Sequence, residues 1–191
     1  MGKMLKDLLK LPNIITSTKF VLLPVMVYYA AVKNYTLFLV LYIVNWVGDI
    51  LDGYLARRLN MQTKLGYMLD TLTDTLFIIA TYISLYLFWR EFILDNLVFP
   101  ILFVIIHIIT NIIWKTRFNK ILNLHLWSAR GACLIFTVFA IVSMNAKTPS
   151  GWLFNFSAMA LVISAFEELY ISIRIRNLNE EQIHSFLDIN K

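Results

Sequence analysis

The sequence predicts an all-α integral membrane protein: six transmembrane helices preceded by an N-terminal amphipathic helix lying in the interface. Three observations carry this. Of 191 residues, 59% are hydrophobic and only 15% are charged, against about half and one quarter in soluble domains. The mean hydropathy is +0.69. Apolar runs near the roughly twenty residues that cross a bilayer core recur six times, at about 14–32, 36–57, 67–89, 97–114, 129–146 and 151–173. The length suits one domain over 1–191, with the interfacial helix at 1–12, the six-helix bundle at 14–173 and a cytoplasmic tail at 174–191.

Each element has its own signal. Over 3–11, apolar residues at 4, 5, 8, 9 and 11 face charges at 3, 6, 7 and 10, the spacing of an interfacial helix that Pro12 stops. No small-residue cleavage site follows the first apolar run, so that run is expected to be retained as the first span. The short polar loop 59–64 makes the second and third spans antiparallel neighbours. Trp46, Trp89, Trp114, Trp127 and Trp152 mostly fall near span ends, as an aromatic belt does. The lone cysteine, Cys133, lies in an apolar run and is expected to be buried and inert. A short surface helix is expected in the tail from 177 to 191.

Orientation follows from lysine and arginine. Six spans put Lys3, Lys6, Lys10, Arg57, Arg58, Lys64, Lys115, Arg117, Lys120, Arg130, Arg174, Arg176 and Lys191 on one side, and Lys33, Arg90 and Lys147 on the other. Thirteen against three predicts that both termini are cytoplasmic. Topogenesis and anionic headgroups account for the net charge of +5, with no nucleic acid needed.

Four carboxylates break the apolar pattern. Asp49 and Asp52 close the second span, three residues apart, and Asp70 and Asp74 open the third, four apart. Each pair projects from one helix face, and antiparallel spans bring both pairs to a similar depth near the cytoplasmic side. Clustered negative charge at membrane depth is costly without cations. Hard divalent ions suit such a cluster, and Mg²⁺ is commonly shared between carboxylates and substrate phosphates. Two ions would stabilise both the attacking and leaving oxygens of a phosphoryl displacement. Gly53, Ala56 and Gly66 leave space beside the acids, and Arg57 and Lys64 can meet phosphate oxygens.

The run Asp49-x-x-Asp52-Gly53-x-x-Ala56-Arg57, eight residues, then Gly66-x-x-x-Asp70-x-x-x-Asp74 resembles the signature of the CDP-alcohol phosphotransferase family at every motif position. Pro12-Asn13-Ile14-Ile15-Thr16 is similar to that family's start of the first helix. The resemblance implies transfer of a phosphatidyl group from CDP-diacylglycerol, or a related CDP-lipid, to an alcohol with release of CMP. It implies Mg²⁺ or Mn²⁺, two ions, on Asp49, Asp52, Asp70 and Asp74, with Asp74 also the general base. It implies a nucleotide site at Gly53, Ala56, Arg57, Gly66 and Thr16, a homodimer, and a cytoplasmic active site.

The acceptor stays open between inositol-type alcohols and glycerol 3-phosphate. The stretch 68–74 resembles the Met-Leu-Asp-x-Leu-Thr-Asp of inositol-using members. A phosphorylated acceptor needs further cations, for which Lys64, Lys115, Arg117, Lys120 and Arg130 are candidates, with His107 mid-span in the fourth helix. Glu167 and Glu168 are expected to make structural pairs, one with Lys19 or Arg130 and the other beside Arg174. Two other classes compete. Intramembrane Mg²⁺-dependent prenyltransferases carry their two aspartate motifs on distant helices, and a cation transporter would spread acids along a path rather than at one depth.

Overall fold

The computed structural model describes residues 10–61, 63–119, 124, 126–175 and 185. The interfacial helix expected at 1–12 and the tail at 174–191 fall mostly outside them. The described residues form seven helices and no strand: α1 (Leu11–Ala31), α2 (Tyr35–Arg58), α3 (Lys64–Phe88), α4 (Arg90–Asp95), α5 (Val98–Phe118), α6 (Trp127–Ala146) and α7 (Gly151–Arg174). All but α4 are long and apolar enough to cross a membrane, so the chain is a multi-pass all-helical membrane protein. The six-residue α4 was not foreseen.

Local chemistry sets the boundaries. Pro12 sits in the first turn of α1, where a missing N–H costs nothing and the fixed φ favours a helix, so α1 starts before the expected 14. Asn34 caps α2 by accepting from the Leu37 N–H at 3.0 Å. Thr63 caps α3 by accepting from the Gly66 N–H at 2.9 Å, which moves its start ahead of 67. Asn119 and Lys147 take left-handed conformations, φ 53° and 57°, to close α5 and α6.

The chain divides into two compact units, Met1–Glu91 and Phe92–Lys191. In the first, α1 packs extensively against both α2 and α3, while α2 and α3 touch only slightly. The expected α2–α3 neighbours are therefore bridged by α1. The α1–α2 turn is held against the end of α3: Tyr35 stacks on Phe88 with centroids 4.5 Å apart, Phe38 meets the same ring edge-on at 5.1 Å, and Lys33 Nζ donates to the Phe88 carbonyl at 2.9 Å.

In the second unit α7 packs against both α5 and α6. Phe103 and Ile106 pack with Val162 and Ala165, and Trp114 packs with Leu124, Leu126, Ile171 and Ile175. Two sequence expectations change here. Trp114 is fully buried core rather than part of a belt, because α5 runs one turn beyond the expected 114. Cys133 is exposed on the outside of α6, not buried. Trp127 and Trp152 are exposed, as belt residues are.

Candidate functional site

The last turns of α2 and the first turns of α3 carry the acids. One carboxylate oxygen from each of Asp49, Asp70 and Asp74 lies within 4.8 Å of the other two, all three residues being half-buried. Three hard oxygen donors this close together fit a divalent ion such as Mg²⁺ or Mn²⁺.

Asp52 is held apart from that trio. Its side chain is buried; Oδ2 accepts from Thr16 Oγ1 at 2.7 Å and lies 3.0 Å from Lys19 Nζ. Lys19 Nζ also donates to Asp49 Oδ1 at 2.8 Å. Thus Thr16 and Lys19, one turn apart on α1, meet Asp52 and Asp49, one turn apart on α2. Of the cations the sequence offered as partners for Glu167 or Glu168, Lys19 is held by the α2 acids, and the Arg130 guanidinium lies 4.9 Å from the Trp127 ring centroid.

The start of α1 is tied to the start of α3. Asn13 Nδ2 donates to Thr63 Oγ1 at 3.2 Å, and the same hydroxyl caps α3. A Cβ on Gly66 would stand 2.4 Å from Asn13 Oδ1 and 3.1 Å from Thr63 Oγ1, so glycine at this position permits the approach. Gly53 lies beneath the Arg57 guanidinium, with an added Cβ 3.4 Å from its nearest nitrogen. Ala56 is half-buried and Arg57 exposed on the same stretch of α2. Thr16 therefore lies between α1 and α2 at Asp52, Gly66 lies at the α1–α3 contact, and Gly53, Ala56 and Arg57 follow Asp52 within the last turns of α2.

Of the candidate acceptor cations, Arg117 is taken up by backbone carbonyls at the end of α7. Arg117 Nη1 donates to the carbonyls of Ser172 and, at 2.7 Å, Ile173, and Nη2 donates to that of Ile175 at 2.8 Å. Lys115 and Arg130 are exposed. Lys64 opens α3, and its side chain lies outside the described set, as does Lys120. His107 Nδ1 is 3.7 Å from Glu168 Oε2, and its ring meets Phe103 edge-on at 4.4 Å. The buried Glu168 carboxylate also faces the Leu124 N–H and the Trp114 indole, although that indole N–H lacks a well-formed hydrogen bond.

Sequence reasoning placed Asp49, Asp52, Asp70 and Asp74 together as ligands; the structure brings Asp49, Asp70 and Asp74 together and turns Asp52 to Thr16 and Lys19. It missed Lys19 as the cation beside the acids and the Asn13–Thr63 bond. The signal was available in part: Lys19 is a cation inside a span whose own helix carries no acid in the described stretch, so its partner had to come from another helix.

Comparison with known proteins gives a consistent result. Residues 9–166 match the family model for CDP-alcohol phosphatidyltransferases. A CDP-diacylglycerol–glycerol-3-phosphate 3-phosphatidyltransferase of Aquifex aeolicus is 34% identical over 94 residues, 49% of this chain and 52% of that protein. The human cardiolipin synthase (CMP-forming) is 33% identical over 76 residues, 39% of this chain and 25% of that protein. A cardiolipin synthase (CMP-forming) of Streptomyces coelicolor is 49% identical over 45 residues, 24% of this chain and 20% of that protein. The chain thus spans about half or less of the length of these relatives, and no solved structure matches it significantly. With the matched region running from the start of α1 into α7 and including all four aspartates, the chain belongs to the CDP-alcohol phosphatidyltransferase family.

Proposed function

We propose that this chain transfers the phosphatidyl group of CDP-diacylglycerol, or a related CDP-lipid, to the hydroxyl of an alcohol, with release of CMP. The observation that carries this reading is the approach of Asp49, Asp70 and Asp74 to within 4.8 Å in a chain of this family. A divalent ion, Mg²⁺ or Mn²⁺, would supply charge stabilisation at the reacting phosphate. Asp49, Asp70 and Asp74 are the residues to hold it, and Asp52 supports them from the α1 side; the sequence-based expectation of two ions belongs to this reading.

In the reaction, the acceptor oxygen forms a bond to the lipid-proximal phosphorus, the bond from that phosphorus to the CMP oxygen breaks, and the hydroxyl proton passes to Asp74. Thr16, Gly53, Ala56, Arg57 and Gly66 would receive the nucleotide and its phosphates on the cytoplasmic side. That orientation rests on the thirteen-to-three distribution of Lys and Arg. A homodimer belongs to the same family-based reading.

For the acceptor, glycerol 3-phosphate is the first candidate, because relatives from Aquifex aeolicus and Rickettsia typhi are described by that substrate. Inositol-type alcohols are second, on the Met-Leu-Asp-x-Leu-Thr-Asp stretch of α3. The test is CMP release by the purified full chain from CDP-diacylglycerol with Mg²⁺ or Mn²⁺, against glycerol 3-phosphate, inositol, inositol phosphate and phosphatidylglycerol, with products identified by mass. Chelation with EDTA should abolish turnover. Asp74→Asn should lower it by at least about 100-fold while the protein still folds. Full activity in that variant removes the general-base role, and CMP release unaffected by EDTA removes the metal.

A further inference from the structure

Among the described residues Lys19 is the one basic side chain that is buried, 4% exposed. It sits in the third turn of a span whose described residues include no acid. A lone ammonium at that depth costs several kcal/mol, offset only by good counter-ions. Its counter-ions are Asp49 Oδ1 at 2.8 Å and Asp52 Oδ2 at 3.0 Å. The second of these oxygens is shared with the Thr16 hydroxyl at 2.7 Å. The stem passes α2 at Gly48, where an added Cβ would make ordinary contact with Lys19 Cε at 3.8 Å. Asp49 is the hinge of the arrangement, because it bonds the ammonium and also belongs to the trio with Asp70 and Asp74.

We propose that Lys19 is a positioning residue for the carboxylate cluster: its ammonium fixes Asp52 and Asp49 on α2 and, as a permanent positive charge beside the trio, keeps the cluster's affinity for a divalent ion moderate. The proposal rests on the metal reading of the site given above. Two effects follow from one contact. Neutralisation by Lys19 lets acids sit at membrane depth before any ion arrives. Repulsion between ammonium and ion then limits how tightly the ion is held, which suits a cation shared with substrate phosphates. A purely structural lysine would produce only the first effect.

The test uses the full chain in detergent, with Mn²⁺ binding followed by electron paramagnetic resonance and thermal unfolding recorded across Mn²⁺ concentrations. Lys19→Met should unfold at lower temperature without metal, bind Mn²⁺ about tenfold more tightly once the neighbouring charge is gone, and gain more from Mn²⁺ than the wild type does. Lys19→Arg should stay near the wild type on both counts. Should Lys19→Met not fold without metal, Lys19→Gln, which keeps a hydrogen bond but no charge, is read the same way. Equal or weaker Mn²⁺ binding by the uncharged variants overturns the proposal, as does a failure of Mn²⁺ at any concentration to restore their folding. Absence of Mn²⁺ binding by the wild type is a different result: it overturns the metal reading, and the proposal with it.

Discussion

The two units bury polar side chains to different ends. In the α1–α3 unit one set of polar groups reaches across helices, Thr16 to Asp52 over 36 positions, Lys19 to Asp49 over 30 and Asn13 to Thr63 over 50, while Asn45, Thr73 and Ser84 bond back along their own helices. In the α5–α7 unit most reach back along their own helix: Ser157, Ser164 and Ser172 donate to carbonyls three positions earlier, and Thr137 to one four positions earlier. A hydroxyl bonded to its own helix behaves as a small packing residue, which lets α6 and α7 approach closely. A charge bonded to another helix fixes a geometry instead. What sets the first unit apart is its charged cross-helix set at the acids; among the described residues of the second unit the charged groups that reach across helices include Arg117 and Glu168.

The largest effect should come from breaking the packing side. Trp114 is completely buried among Leu124, Leu126, Ile171 and Ile175. Trp114→Ala should destabilise the protein by about 3–5 kcal/mol, read as a fall in the denaturant midpoint in detergent, while Mn²⁺ affinity of the folded protein stays at the wild-type value. A parallel loss of Mn²⁺ affinity would show that the division between site and packing is false.

This division was only half legible in the sequence. The Asp49/Asp52 and Asp70/Asp74 pairs were readable because helical spacing fixes a face, and the spans because twenty apolar residues have few other uses. Interhelical partners were not, since a Lys19–Asp49 contact over 30 positions leaves no local pattern. Trp114 was misread because the apolar run thins before α5 ends; with the helix continuing to Phe118, a residue taken for a span end lies a turn inside it. Cys133 was misread because an apolar run in a membrane helix does not reveal which side faces its neighbours. The acceptor stays unassigned for a related reason: the basic residues near the ends of α5 and α6 have the same composition whether they orient the chain or bind a phosphate.

A smaller effect, within the site-forming unit, comes from Gly66→Ala. The added Cβ would lie 2.4 Å from Asn13 Oδ1, so Asn13 must turn away and give up its bond to Thr63. The expected result is a loss of activity of about tenfold, equivalent to ~1.4 kcal/mol, with little change in stability. Adding Asn13→Ala separates two explanations. If the harm comes from the clash, the double variant is no worse than either single one, whereas additive losses would indicate that Gly66 also lies against the nucleotide.

The smallest effect is expected at Arg117, where the two ways of using a charge can be told apart directly. Its guanidinium takes up three carbonyls at the end of α7, those of Ser172, Ile173 and Ile175, which the helix itself leaves without donors. A cation at this end also opposes the negative pole of the helix. Arg117→Ala should therefore lower stability by about 1 kcal/mol, with the KM for the acceptor unchanged, and Arg117→Lys should recover only part of the loss because an ammonium cannot span the three oxygens as the planar fork does. A stability equal to the wild type combined with a raised acceptor KM would reverse the assignment: Arg117 would then be a substrate-binding cation, and the α5–α7 unit would carry part of the site.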